Sequence, residues 1–170
     1  MRVADVTTAM VKELREATGA GVMDAKRALD QSQGDMKAAT ELLKERGIAA
    51  AAKRADREVK NGVVESYIHA GGRIGVLVEV NCETDFVANT ADFRQLARDV
   101  AMQIAAMNPA VISAEQRTPQ HEGSDAELCL LNQPFIRDGS RTIADLVRDT
   151  IAKTGENVRV ARFVRFELGR

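Results

Sequence analysis

His69, Cys82 and Asp85 are the residues of this chain best suited to covalent chemistry. His69 precedes Gly71-Gly72, a pair that predicts a hairpin turn, and Cys82 ends the strand predicted after that turn. A hairpin could bring histidine and cysteine together as a base and a nucleophile. A free cysteine at the end of a buried strand, however, usually packs as a small apolar side chain. We favour packing and keep a cysteine hydrolase as a distant alternative.

Three acidic residues in the same region, Glu79, Glu83 and Asp85, are the candidates for a divalent-metal site. Carboxylate oxygens are the ligands that hard cations prefer. Strand alternation places Glu79 and Glu83 on the face opposite the inward valines, where charged side chains are expected in any case. A solvated strand face explains them better, and we predict neither a metal nor another cofactor.

The totals of the chain are those of an ordinary globular protein, with 170 residues, 45% hydrophobic residues and a net charge of −1. This balance gives no case for nucleic acid or an anionic membrane as a partner. No apolar run approaches the roughly 20 residues of a membrane helix, and the N-terminus lacks a signal-peptide core. The chain also lacks a phosphate-binding loop, an HExxH motif and a GxSxG motif. We predict a cytoplasmic protein with two reduced cysteines.

The segment that positions Asp85 is residues 75–89, which read GVLVEVNCETDFVAN. Its apolar first half is short and β-branched, which predicts a buried strand, and a polar turn then leads into a helical segment. Two interpretations of Phe86 stay open. Helical periodicity, with Phe93 seven residues later, favours a ring packed inside. A carboxylate and a ring at the end of a rigid strand could instead face another protein.

The first part of the chain, residues 1–47, predicts a module of three short helices. The first helix ends at Gly19, and the third begins after Asp35 and ends at Gly47. Helices this short must pack on one another, and the arrangement is that of a ubiquitin-associated module. Residues 48–60 are rich in alanine and charge and predict an exposed linker helix, with a nucleic-acid patch as the weaker interpretation.

The remaining residues, 61–170, predict an α+β core of about three antiparallel strands backed by helices. The predicted strands are residues 63–69, 73–82 and 158–168, and the last carries a bulge near Ala161-Arg162, where its alternation slips. One long helix is capped by Asn89 or Thr90, and a later one runs from Ser140 to Gly155. Residues 113–127 predict a loop, and the state of residues 128–136 is left open.

Five stretches of this sequence resemble the elongation factor Ts family. VKELREATGAGVMDAKRAL, residues 11–29, is similar to the opening signature of that family, and RIGVLVEVNCETDFVAN, residues 73–89, to its central signature. QPF, TGEN and RFELG follow at residues 133–135, 154–157 and 165–169. The resemblance implies a non-enzymatic factor that promotes GDP release from the GTPase elongation factor Tu. A generic adaptor built on a ubiquitin-associated module is the alternative.

The resemblance also implies roles for particular residues. Arg15, Val22 and Met23 would dock on the GTPase domain of elongation factor Tu. Thr84-Asp85-Phe86-Val87 would displace the magnesium ion that accompanies the nucleotide. The further contacts it implies are made by His69, Phe135, Gly155, Glu156 and Asn157, with Gln133-Pro134 near Phe135.

Compact members of this family are expected to form homodimers, through the sheet and the last strand. Val164 stands where some members have a cysteine, so we expect no covalent dimer. Residues 113–127 replace a longer helical stretch, and Thr154 replaces a larger aliphatic residue.

Overall fold

The computed structural model describes residues 6–169 and has an α+β architecture, as the sequence predicts. The helices are α1 Thr8–Thr18, α2 Val22–Gln31, α3 Met36–Ala52, α4 Asp85–Ala88, α5 Ala91–Met107, α6 Asp125–Leu128 and α7 Ile143–Thr154. The strands are β1 Asn61–Ile68, β2 Ile74–Cys82, β3 Pro134–Phe135, β4 Asp138–Thr142 and β5 Val158–Glu167.

The main sheet is antiparallel in the order β1-β2-β5, so β2 is the central strand. Alternation along β2 turns Val76, Val78, Val80 and Cys82 into the core. Opposite them, the register of β5 shifts by one residue: Val80 pairs with Val160, but Glu79 pairs with Arg162. Ala161 is therefore the extra residue of a β-bulge, which confirms the predicted bulge.

Helix α5 covers the inner face of the sheet. Thr90 caps its N-terminus through a hydrogen bond from the Phe93 N–H, and it ends at Asn108 in the left-handed conformation. The apolar side chains at helical spacing along α5 are all buried: Phe93, Leu96, Ala97, Val100 and Ile104. This helix, α7 and the sheet contribute most of the larger hydrophobic core.

Helices α1 to α3 have a separate small core of Leu14, Ala25, Ala28, Leu29 and Ala39. Gly19 ends α1 in the left-handed conformation, and the Asp35 carboxylate caps α3, as predicted. The division of the chain at residues 47 and 60 stays a prediction, and residues 1–5 of its first segment lie outside the described residues. No helix in the described part of the chain is long and apolar enough to cross a membrane.

The predicted end of the third helix at Gly47, and the linker helix over residues 48–60, are wrong. Helix α3 continues through Gly47 to Ala52, and turns follow it. Glycine inside a helix costs about 1 kcal/mol, but α3 packs on α7 here, and continuing it brings Ala51 against the main core. Tertiary packing thus outweighs the helix-ending preference of the glycine.

The sequence prediction that the last helix begins at Ser140, with Ser140 as its cap, is wrong. Ser140 lies in β4 and its hydroxyl binds Asp138. Thr142 is the cap, because its side chain and that of Asp145 satisfy each other's backbone N–H groups in a capping box. Residues 113–136, predicted as a loop followed by an undefined segment, contain α6, two short 3-10 turns and β3.

Candidate partner-binding site

Phe86 is the most exposed of the large apolar side chains in the described part of the chain, with 78% of its surface accessible. It lies on α4, a single helical turn between β2 and α5. The next two residues, Val87 and Ala88, are buried in the main core. The turn is therefore anchored by one side and presents the ring on the other. The inward packing that periodicity favoured is wrong, and Phe93 alone of the two rings is buried.

An open concavity lies beside the ring of Phe86 and is lined by Asp85, Asn89 and Thr90 as well. Two of these residues are held in place by hydrogen bonds. The side-chain amide of Asn89 donates to the carbonyl oxygen of Asp85 at 2.9 Å, and its Oδ1 accepts from Arg94 at 3.0 Å. Asp85 is exposed. An aromatic ring and a carboxylate thus stand side by side at the surface on a fixed support.

The loop between α7 and β5, residues 155–157, lies directly against this turn. Both carboxylate oxygens of Glu156 accept hydrogen bonds from it: Oε2 from the N–H groups of Glu83 and Thr84, and Oε1 from the Thr84 hydroxyl. The Thr84 hydroxyl in turn accepts from the Val87 N–H and caps α4. The structure therefore brings two of the predicted contact elements together.

A third predicted element, the turn between α1 and α2, also lies near this loop. The Lys153 side chain, at the end of α7, packs over Gly19 so closely that a side chain at Gly19 would displace it. Val22 and Met23 start α2 and are 54% and 59% exposed. Arg15 is exposed on α1. Lys153 thus brings the α1–α2 turn close to the end of α7, and the loop that follows α7 contacts the turn before α4.

A family model described as Elongation factor TS matches residues 3–122 of this sequence. The chain belongs to the elongation factor Ts family. The Elongation factor Ts of Carboxydothermus hydrogenoformans is 51% identical over 195 aligned positions, which cover 96% of this chain and 89% of that protein. The one from Desulforamulus reducens is 49% identical, with 98% and 90% covered. The one from Caldanaerobacter subterraneus is 48% identical, with 96% and 97% covered.

The alignments with these elongation factor Ts relatives are longer than the 170 residues of this chain, which shows that the relatives contain residues that this chain lacks. Such a difference is what we expect if residues 113–127 replace a longer stretch. In the structure this segment folds back on Arg117, whose guanidinium donates to the carbonyl oxygens of His121 and Gly123 and pairs with Asp125.

Two residues for which the elongation factor Ts resemblance implies a contact lie away from this surface. His69 follows β1 at the opposite end of the sheet and is exposed, with Nδ1 3.2 Å from the Tyr67 hydroxyl. Phe135 lies on β3 and is buried in the main core. Gln133 beside it is also buried, where its amide binds Gln103 and the carbonyl oxygen of Glu127.

The geometry excludes the nucleophile pair considered as an alternative. In the β1–β2 hairpin, Ile68 pairs with Gly75 at one end and Asn61 with Cys82 at the other. Along strands of this length, His69 and Cys82 are separated by on the order of 25 Å. Burial, with the charge of Glu156 as a smaller effect, raises the pKa of the Cys82 thiol to about 11. Cys82 packs, as the favoured interpretation predicted.

The acidic residues proposed for a metal site are engaged separately. Glu79 pairs with Arg162 on the outer face of the sheet, and the hydrogen bond from Arg162 lowers the pKa of its carboxyl. Glu83 accepts from the Asn157 N–H and from Arg57. Over residues 6–169, no three His, Cys, Asp or Glu side chains are arranged to hold a metal ion.

Sequence reasoning did not predict that Asn157 and Glu156 each form hydrogen bonds to distant residues of the same chain. The Asn157 amide donates to the carbonyl oxygens of Ala55 and Arg57, at 3.2 and 2.8 Å. About a hundred residues separate these partners in the chain, so no local spacing could signal the contact.

Proposed function

We propose that this protein is a guanine-nucleotide exchange factor that binds elongation factor Tu and promotes GDP release during translation elongation. Membership of the elongation factor Ts family supports a role in translation elongation. The outward ring of Phe86 on its anchored turn is the observation that carries the mechanism. The protein acts by binding, in the cytoplasm where translation takes place, and no covalent step on its own side chains is required.

GDP is held in such GTPases largely through its phosphates, a magnesium ion and a helix N-terminus, so slow release is an electrostatic problem. Phe86 inserts between helices of elongation factor Tu and shifts the helix that positions the magnesium ligands. Asp85 reinforces this by hydrogen bonding or by repulsion near the phosphate. Thr84 and Val87 act by holding α4 in place: Thr84 caps the turn, and Val87 anchors it in the core.

The coupling between the factor and the nucleotide is reciprocal. If the factor weakens GDP binding by a given ratio, GDP weakens binding of the factor by the same ratio, so an incoming nucleotide expels it again. A thousandfold change corresponds to roughly 4 kcal/mol. A buried aromatic side chain with a few polar contacts at the centre of an interface reaches that magnitude.

Docking and displacement belong to different parts of the surface. Arg15, Val22 and Met23 lie on the α1–α2 turn and supply binding to the GTPase domain that does not depend on the nucleotide. Gly155 and Asn157 support the surface from within. His69 and Phe135 lie elsewhere in the fold, and we propose His69, which is exposed, as a secondary contact. Phe135 is buried, and we propose that it supports a contact made by its neighbour on β3, Pro134.

Two copies of the chain pair, we infer, through the outer face of the sheet. That face exposes large apolar side chains from all three strands: Val64, Ile68, Leu77, Val164 and Phe166. Charged side chains are expected on a solvated strand face, so a row of apolar ones indicates a surface that is covered. Val164 cannot form a disulfide, and the pairing is non-covalent.

The test of the exchange mechanism is the release of fluorescently labelled GDP from elongation factor Tu, followed at increasing concentrations of wild type or Phe86→Ala. We expect the variant to lower the maximal release rate about a hundredfold, the effect of a central aromatic contact worth roughly 3 kcal/mol. Met107→Ala is the matched control. Met107 is also exposed but ends α5, about 24 Å from the start of that helix at a rise of 1.5 Å per residue.

Met23→Ala separates docking from displacement in the same assay. A residue that only docks contributes equally to both states, so its loss raises the half-saturating concentration and leaves the maximal rate unchanged. Wild-type acceleration by Phe86→Ala would remove Phe86 from the mechanism. A generic adaptor would bind a partner without accelerating GDP release at all.

A further inference from the structure

The carboxylate of Glu156 is engaged by three hydrogen-bond donors of its own chain. Its Oε2 lies 3.1 Å from the backbone nitrogen of Glu83 and 3.0 Å from that of Thr84, and its Oε1 lies 2.6 Å from the Thr84 hydroxyl. All three donors belong to the short turn that leads into α4. Glu156 is therefore placed to act on the turn that carries Phe86, which is a different role from touching a partner.

Thr84 transmits this contact to the helix. Its single hydroxyl proton goes to Glu156, which leaves an oxygen lone pair for the Val87 N–H at 3.3 Å. Helix α4 has only four residues, and a helix of one turn is not stable by itself because its nucleation is costly. The direction in which α4 presents Phe86 thus depends on what holds its N-terminus.

Glu156 is itself held from the opposite side. The carbonyl oxygen of Gly155 accepts a hydrogen bond from Arg54 Nε at 2.9 Å. The buried Asn157 is fixed by the carbonyl oxygens of Ala55 and Arg57. The residues on both sides of Glu156 are therefore tied to the segment after α3, and the carboxylate has a rigid support.

We propose that Glu156 is a positioning residue for Phe86. Its carboxylate fixes Thr84 and the first turn of α4, so that the ring is already directed outward before elongation factor Tu arrives. Ordering the ring in advance removes an entropic cost from the step in which it inserts. This inference rests on the proposed exchange function and adds to it that Glu156 acts through Phe86 alone.

A double-mutant cycle tests this dependence, with wild type, Glu156→Ala, Phe86→Ala and the double variant compared in the GDP-release assay. We expect Glu156→Ala to lower the maximal rate about tenfold, the loss that corresponds to one charge-assisted hydrogen-bond network of modest strength. The half-saturating concentration should stay within about twofold, and the double variant should be no slower than Phe86→Ala. Multiplying effects, or a change in half-saturating concentration alone, would show that Glu156 touches the partner and would overturn the proposal.

Conservative variants distinguish positioning from general damage to the fold. Glu156→Gln keeps an oxygen for the two backbone N–H groups but offers no acceptor for the Thr84 hydroxyl, so its rate should fall between those of wild type and Glu156→Ala. Thr84→Ser keeps the hydroxyl and should be faster than Thr84→Val, which should resemble Glu156→Ala. Equal rates for Glu156→Gln and Glu156→Ala, together with a full rate for Thr84→Val, would contradict the proposed route.

Hydrogen exchange of the free protein tests the same contact without a partner, and so remains informative if Phe86→Ala retains full activity. The amides of Val87, Ala88 and Asn89 close the turn by bonding to Thr84 and Asp85. In Glu156→Ala we expect these amides to exchange about tenfold faster, because local opening becomes easier. Glu122→Ala, at an exposed loop residue, should leave them unchanged. Unaltered exchange in Glu156→Ala would overturn the positioning role whatever Phe86 does.

Discussion

The backbone N–H of Asn157 donates to Oε1 of Glu83 at 2.6 Å and so joins the start of β5 to the residue that follows β2. The same oxygen accepts from Arg57 at 3.3 Å. The Asn157 side chain donates to the carbonyl oxygens of Ala55 and Arg57. This pair of residues therefore connects the segment after α3 with the strand ends beside α4.

Glu83 should make the stability of the fold depend on pH. The hydrogen bond from Asn157, with Arg57 as a smaller cause, holds the pKa of the Glu83 carboxyl below its ordinary value of 4.5. A carboxyl whose pKa is lower in the folded state stabilises the fold above its unfolded pKa, and that stabilisation disappears as the pH falls through the folded value. Glu83→Gln should thus be less stable than wild type at neutral pH, and the two should converge below pH 4.5.

Urea unfolding of both proteins across this pH range measures the difference. Glu58→Gln is the control, since Glu58 forms only an exposed ion pair with Lys60, and exposed pairs contribute little. A stability difference between wild type and Glu83→Gln that stays constant with pH would exclude ionisation of Glu83 as its source.

Asn157→Ala should destabilise the fold by about 1 kcal/mol, because the Arg57 carbonyl oxygen loses its side-chain donor while that of Ala55 keeps only the hydrogen bond from Arg159. Asn157 is only 4% exposed. Asn157→Asp should not restore stability, since a carboxylate cannot donate to carbonyl groups. The measurement is the urea midpoint, with the slope unchanged, and Asn132→Ala at an exposed position is the control. A midpoint equal to that of wild type would refute the role assigned to the Asn157 amide.

Local signals predicted the elements whose causes are local. The side chains of Asp35 and Thr90 cap the N-termini of α3 and α5, and Gly155 ends α7 in the left-handed conformation that glycine favours. Alternation identified β2 as buried, and a slip in alternation located the bulge at Ala161. The sequence prediction that Ser140 caps α7 missed a local signal, the capping box that Thr142 forms with Asp145 three residues later.

Long-range contacts explain what the sequence could not predict. Helix α3 passes Gly47 because α7 packs beside it, and residues 54–57 bond to the distant α7–β5 loop. Periodicity misplaced Phe86 because α4 and α5 are two helices, with Thr90 as a new cap between them. Once a new cap intervenes, the seven-residue spacing to Phe93 says nothing about the direction of Phe86.

The Cys82 thiol should be inert in the folded protein. Burial raises its pKa to about 11, and its Sγ lies 3.1 Å from the Thr84 carbonyl oxygen. The thiolate is the reactive form, and the folded protein has a smaller thiolate fraction and a less accessible sulfur than the unfolded protein. Labelling of the folded protein at pH 8 should therefore be about a hundredfold slower, or more, than labelling in urea. Mass spectrometry of the Cys82 peptide after timed labelling measures this. Rapid labelling of the native protein would contradict the burial, and Cys82→Ser should retain full exchange activity.

Phe166→Asp should convert the proposed dimer into a monomer. Phe166 is 67% exposed on β5, near the exposed Val164 and Leu77 of the outer sheet face. A carboxylate there would have to be desolvated without a partner, at several kcal/mol per site, and a twofold interface contains the site twice. Light scattering should give twice the 18.5 kDa chain mass for wild type and a single mass for the variant. Ile136→Asp, at an exposed apolar residue just after β3, should remain dimeric. A single-chain mass for wild type at high concentration would refute pairing through this face, since the exposed side chains would then be uncovered in the free protein.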